Sequence, residues 1–218
     1  MKSKLNLIII HLFLFVSCSQ DEEASNTDNT SPILRGVEIV DNIEDSRFSM
    51  EFTYTDSVIT SIIVVETNEL FATYEYDLNK NLIRSNCLCN ADFAYLYEGN
   101  KVSAVNDLPV MYSNDSILIN GNFTAFVKEG NVVENEFSTR THLDIEVPES
   151  FKHYYAIRED EHFPLHQDKN LIRESISSAV KTMWEYTFDG EGNVLSTRFK
   201  SYELGELLDD DTYNFIYE

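Results

Sequence analysis

The sequence predicts a mainly β fold: a long twisted antiparallel meander sheet or half-barrel, with one short helical or irregular crossover near residues 148–167. Three observations predict it. Aromatic residues recur at i, i+2: Phe52 and Tyr54, Tyr74 and Tyr76, Tyr95 and Tyr97, Trp184 with Tyr186 and Phe188, and Tyr213 with Phe215 and Tyr217. Period two places each set on one face of an extended strand and turns Glu75, Asp77, Glu185 and Thr187 to the other. Clusters of Asn, Asp, Gly and Lys break the alternation at intervals of roughly 10 residues, the rhythm of antiparallel hairpins. Only Pro148 to Gln167, rich in charge and histidine, lacks that rhythm.

The first element, residues 1–17, has the three parts of an export signal. Lys2 and Lys4 supply positive charge, Leu5 to Val16 is almost wholly apolar, and small Ser17 precedes Cys18. The apolar run falls short of the ~20 residues that a transmembrane helix needs, and no later segment approaches that length. Phe15-Val16-Ser17-Cys18 resembles the lipobox at which a bacterial lipoprotein is cut before a diacylglyceryl cysteine. Cys18 is therefore the expected lipidation site, and two or three acyl chains at about 0.8 kcal/mol per buried methylene make a lasting anchor.

Residues 18–32 follow as a lipid-anchored acidic tether. Residues 19 to 32 hold no large apolar side chain and end at Pro32, so they bury too little surface to fold. Ser19-Gln20-Asp21-Glu22-Glu23 looks like the acidic signal that sends Bacteroidota lipoproteins to the outer face of the outer membrane. The expected localisation is that lipid-anchored, cell-surface position, with a periplasm-facing one as the alternative.

Residues 33–218, roughly 185 residues, suffice for one antiparallel β domain with a sizeable core. Removing residues 1–17 takes two lysines and no acid, so the formal charge moves from −22 to −24. A chain this acidic, with no basic stripe, is not expected to bind nucleic acid, and its contact with membrane is expected through the anchor alone. The acidity reads as solubility and colloidal repulsion.

Within the domain, several units share one form: aromatic-x-aromatic, an acidic or Asn/Gly turn, then branched apolar residues. They run from Tyr74 to Ile83, Tyr95 to Val105, Phe123 to Val133 and Tyr186 to Leu195. Gly and Asn tolerate the positive φ of tight hairpin turns, so the units form a degenerate hairpin repeat. In an extended Cys87-Leu88-Cys89 the two α-carbons would lie about 7 Å apart, too far for a bridge without a bend. Packed thiols are the default there, beside a redox-active pair or a metal site. In the crossover, Glu149 to Arg158 can form a short helix after Pro148, and Pro164 stops it from continuing far.

The C-terminal third, with Asp168-Lys169-Asn170-Leu171, Trp184-Glu185-Tyr186-Thr187-Phe188-Asp189, Gly192-Asn193 and Tyr213 to Tyr217, resembles an uncharacterised Bacteroidota surface lipoprotein family built from Tyr-x-Tyr-x-Asp-x-x-Gly hairpins. The resemblance covers about 50 residues well and implies a long twisted antiparallel sheet. Its motifs describe turns, so it implies no catalytic residues.

Each candidate site has a plain structural reading beside it. His162 and His166 would share a helix face beside Glu159, Asp160 and Glu161 as metal ligands do, but Pro164 lies between them. Asp189, Glu191 and Asn193 have the spacing of a calcium loop, yet Val194 stands where glycine is needed and Lys200 where a glutamate belongs; a hairpin turn is expected. Asp209-Asp210-Asp211 reads as a solvated loop. No metal site and no cofactor are therefore expected. The stripes of Tyr74, Tyr76, Tyr95, Tyr97, Trp184 and Tyr186 are a candidate aromatic binding face for sugar rings if one sheet face stays open, and core packing if it is covered. Asp56-Ser57-Val58 and Asp115-Ser116-Ile117 match the pattern of Bacteroidota O-glycosylation, making Ser57 and Ser116 candidate modification sites. The Asn-x-Ser/Thr triplets at Asn29, Asn114 and Asn122 are discounted in a bacterial export context.

No nucleophile elbow, phosphate loop or zinc-protease helix occurs in the sequence. The resulting expectation is a non-enzymatic, outer-membrane-anchored binding module for a glycan or protein partner. The alternatives are an envelope carrier of an apolar ligand in a curved sheet, and a hydrolase using two carboxyl groups about 5 to 10 Å apart in a cleft.

Overall fold

The computed structural model describes residues 32–87, 92–158 and 164–218, so Cys18 and His162 lie outside the described residues. Sixteen strands follow in order: β1 (Leu34–Asp41), β2 (Ser46–Thr55), β3 (Val58–Val64), β4 (Glu69–Tyr76), β5 (Leu82–Cys87), β6 (Asp92–Glu98), β7 (Lys101–Val105), β8 (Leu108–Ser113), β9 (Ser116–Ile119), β10 (Asn122–Lys128), β11 (Asn131–Asn135), β12 (Ser138–Glu146), β13 (Asn170–Ser177), β14 (Val180–Phe188), β15 (Val194–Glu203) and β16 (Glu206–Tyr217). One helix, α1 (Glu149–Arg158), lies between β12 and β13. Each strand pairs antiparallel with its sequence neighbours, as the meander expectation has it. The half-barrel expectation is corrected: β1 pairs with β16, Val37 against Phe215 and Ile39 against Tyr213, and the sheet closes into a barrel. Closure removes both sheet edges, which otherwise expose unpaired backbone groups.

Tight turns make so many reversals in so short a chain. Asp56-Ser57, Asn106-Asp107, Asn114-Asp115, Asn120-Gly121, Glu129-Gly130 and Leu204-Gly205 each have two successive positive φ values, the backbone of the hairpin turns whose twist matches the flanking strands. Asp77 and Asp189 build a longer version. One carboxylate oxygen of each accepts backbone N–H groups, from Asn79 and Asn81 or from Glu191 and Asn193, and the other accepts the amide of Asn81 or Asn193. Gly36 is fixed by close approach, since a Cβ there would lie 2.6 Å from the Met50 carbonyl oxygen.

The up-and-down order gives the barrel two distinct ends. At one lie the first residue of β1, the last of β16, the Asp77 and Asp189 turns and the described residues of the β12–β13 connection. That connection is a plug. Phe151, Tyr154 and Tyr155 of α1 are the largest fully buried side chains, and Phe151 stacks edge-on against Phe215 at 4.8 Å between centroids. Among the described residues the opposite, distal end carries only short hairpin turns.

Inside, Leu34, Val37, Met50, Phe52, Ile62, Leu82, Val102 and Val194 join the plug in one core. Outside, the wall carries ion pairs, Arg84 with Asp92, Arg198 with Asp210 and Lys200 with Glu185, among exposed apolar side chains such as Leu96, Met111 and Ile216. In a membrane-spanning barrel the outer face is a continuous apolar band, and Arg or Lys at mid-membrane costs about 2–4 kcal/mol each. Among the described residues no helix is long and apolar enough to cross a membrane.

Two further expectations are corrected. Asp209, Asp210 and Asp211 lie within β16 instead of a loop: Asp210 turns outward to a bidentate contact with Arg198, while Asp209 binds the Ser201 hydroxyl. Alternation solvates or pairs each acid in turn, so the run does not break the strand. Cys87 is disulfide-bonded, with its partner outside the described residues.

Candidate functional site

Tyrosines near the plug ends of β2, β4, β6 and β16 tie that end together. The hydroxyls of Tyr54, Tyr76, Tyr97 and Tyr217 donate to the carbonyls of Leu34, Ile59, Leu82 and Val194, in each case near the start of the preceding odd-numbered strand. Burial pushes all four hydroxyls above the usual tyrosine range, Tyr54 to about 12, so they stay protonated donors. Tyr74 and Tyr95 are buried, and Tyr76, Tyr97, Trp184 and Tyr186 pack partly buried against the same core. The candidate aromatic face is therefore covered: all six side chains point into the barrel, and no outer platform for sugar rings exists on them.

The wall is weakest between β11 and β12, which share one registered pair, Glu134 with Thr139. The returning limb of the plug, residues 164–169, closes this seam. Its Asp168 is buried at 3% exposure; one carboxylate oxygen accepts the Val132 N–H at 2.6 Å and the other lies 3.1 Å from His142 Nε2. Asp168 thus supplies an acceptor that a continuous ladder would have supplied from β12. The Lys169 N–H donates to the Gly130 carbonyl, which His166 Nε2 also approaches at 3.1 Å. Asn131 and Asn170 pair across the same seam.

Two adjoining clefts flank this limb. One, of about 330 Å³, opens at the seam between Lys128, Glu129, Asn131, Arg140, His142 and Asp144. The other, of about 400 Å³, lies between the β8–β9 turn and the plug and is lined by Lys101, Tyr112, Asn114, Asp115, Ser116 and His166. There the Lys101 ammonium sits 5.0 Å over the Tyr112 ring, whose hydroxyl donates to the Leu165 carbonyl. Both clefts mix amides, hydroxyls, carboxylates and cations on strand ends and turns, a donor and acceptor set suited to a polyhydroxylated ligand.

The candidate modification sites differ in access. Ser57 is exposed in the β2–β3 turn, whereas Ser116 is half-buried in the second cleft. His166 lies in the extended limb after Pro164 instead of on a helix. The Asp189 turn is a hairpin, its carboxylate already committed to the turn's own N–H groups. Among the described residues no group of three His, Cys, Asp or Glu side chains is arranged to hold a metal ion.

The buried His142–Asp168 pair and both clefts are absent from the sequence reading. Their members come from β7 to β13, and no local spacing signals them; the nearest hint is the polar Asp168 preceding an apolar strand. No family model and no curated protein matches the chain. Among solved structures it is similar to a porin-like protein from Bacteroides uniformis, with a TM-score of 0.38 and 16% identity, covering 85% of this chain and 98% of that one.

Proposed function

We propose that this chain is a lipid-anchored envelope protein whose barrel is a non-catalytic binding module, and that it holds a glycan in the two clefts beside the plug limb. The pair of clefts carries the reading: their polar rims stand on strand ends pinned by the Asp168, Asn131 and Tyr112 contacts, so the ligand meets a preorganised set of donors and acceptors. The lipobox-like Phe15-Val16-Ser17-Cys18 supports the envelope position, and the ion pairs on the outer wall suit a barrel held in water beside the membrane. A Cys18→Ala chain should leave the membrane fraction and take up no labelled fatty acid. A glycan array with the mature chain tests the ligand: binding should weaken about tenfold when Lys101 and Asn131 are both replaced by Ala. Array silence, or turnover of a polysaccharide by the purified chain, overturns the reading.

A carrier of apolar cargo is the second reading, favoured by one feature. Phe48, Phe93 and Leu108 follow the inward alternation of Met50, Tyr95 and Val110, yet remain exposed at the distal mouth. Lipid extracted with the purified chain would favour it over the glycan.

A further inference from the structure

The distal end combines two properties that stability does not explain. Its described turns carry four exposed apolar tips, Ile43 at 52%, Val65 at 50%, Phe137 at 73% and Leu204 at 90% exposure, against one, Leu78, in the described turns of the plug end. Leu204 also has a φ of 51°, a left-handed conformation that suits Asn, Asp or Gly and that branched apolar residues rarely adopt. At this one position the chain therefore accepts both a strained backbone and a bare leucine. Exposed apolar side chains clustered at one end of a domain and rimmed by polar groups mark interaction sites.

The rim has one sign of charge. The seven described turns of this end contain Glu44, Asp45, Glu66, Asp107 and Glu136 and no Lys or Arg. Asp41, Glu69, Glu203, Glu206, Asp209 and Asp211 stand beside them on the strand ends. The nearest cations, Arg47 and Lys181, lie on the outer wall and are paired with Glu38 and Glu174. Burial and the neighbouring Asp41, Asp209 and Asp210 raise the pKa of Asp211, as mutual repulsion within the cluster requires.

We infer that the distal end docks a protein segment in which Lys or Arg side chains alternate with apolar ones. The apolar tips give that segment contact area, and the acid-only rim selects its charge. A second copy of the chain presents the same negative rim and is repelled, and an anionic bilayer is repelled likewise. The first strand enters the barrel at Leu34 on the plug end, so the docking face lies at the opposite end of the barrel from that entry.

The test uses the mature chain from residue 18 with Cys18→Ser, which keeps it in solution, and a fluorescein-labelled amphipathic Lys/Leu peptide read by anisotropy. Substituting Phe137→Ser with Leu204→Ser should raise Kd about tenfold or more, and Glu44→Gln with Asp45→Asn severalfold. A Lys/Ser peptide of the same charge should bind at least about tenfold more weakly. Substitution of plug-end acids, Asp56→Asn with Glu191→Gln, should leave Kd unchanged. Circular dichroism confirms folding of each variant. Equal affinity for the two peptides, or an effect of plug-end acids equal to that of distal ones, would reduce the binding to general polyelectrolyte attraction and overturn the proposal. Uptake by phosphatidylcholine vesicles, lost with Phe137→Ser and Leu204→Ser while the peptide does not bind, would replace the protein segment with a bilayer.

Discussion

The plug end and the distal end are built from the same hairpins but differ in how they use apolar side chains, Leu78 being the one exposed apolar tip in the described plug-end turns. At the plug end Phe151, Tyr154 and Tyr155 turn inward and four tyrosine hydroxyls tie neighbouring hairpins together. At the distal end Phe137 and Leu204 point into solvent, and short side chains hold individual turns: Asp41 accepts the Ile43 and Glu44 N–H groups and Asn135 accepts those of Phe137 and Ser138. The difference teaches where the fold draws its stability. A wide barrel cannot fill its interior with strand side chains alone, and the one long connection supplies the missing volume at one end only.

Two phenylalanines sharpen this contrast most. Phe151→Ala should lower the unfolding free energy by about 3–5 kcal/mol, because it opens a cavity among Tyr154, Tyr155 and Phe215. Phe137→Ala should change it by less than about 0.5 kcal/mol. Urea unfolding of both variants measures the gap; comparable losses would show that the distal tips support the fold.

Acidification should act on the two ends with opposite sign. Burial lowers the His153 pKa to about 4 from 6.5. Between those values the unfolded chain binds a proton that the folded plug refuses, so stability falls as pH drops through that window, by up to about 1.4 kcal/mol per pH unit. His153→Gln should flatten this slope. Asp211 is shifted the other way, its pKa raised by burial and by Asp41, Asp209 and Asp210. The folded state then holds the proton more tightly than the unfolded chain, and protonation near the acid end of the range relieves repulsion. Asp211→Asn should raise the urea midpoint at neutral pH, and a lowered midpoint would count against the cluster as a source of repulsion.

How much of this contrast was legible in the sequence depends on range. Hairpins were, because Asn-Asp and Asp-Gly turns and i, i+2 aromatics are local; so was α1, opened by Pro148 and interrupted by Pro164. Barrel closure was not, since the pairing of Ile39 with Tyr213 joins the two ends of the domain and nothing in either strand names its partner. The plug was visible as a break in rhythm but not as a filler of the interior. Asp209 to Asp211 misled because three acids in a row suggest solvent, whereas a strand disposes of them on alternate faces. Asp168 and His142 meet only because the β11–β12 seam opens. The distal tips each look ordinary alone, and their gathering at one end follows from the up-and-down order.

The tyrosine ties give a smaller effect. Tyr76→Phe removes the donor to the Ile59 carbonyl and should cost about 1 kcal/mol. Tyr97→Phe, which frees the Leu82 carbonyl, should cost the same, and the two losses should add if the ties act independently. Thermal unfolding of the single and double variants measures this, and a double loss well beyond the sum would mean that the ties form one cooperative ring.

The smallest effect separates the two ends most cleanly, because its sign is reversed. Leu204→Asn places at a φ of 51° a residue that tolerates the left-handed region, and removes a leucine that is 90% exposed. Stability should rise by about 0.5 kcal/mol, since the folded backbone loses strain and little buried contact is forfeited. Binding of the amphipathic Lys/Leu peptide should weaken in the same variant. If Leu204→Asn instead destabilises the barrel, the leucine is doing structural work in the turn, and its exposure no longer argues for a partner at the distal end.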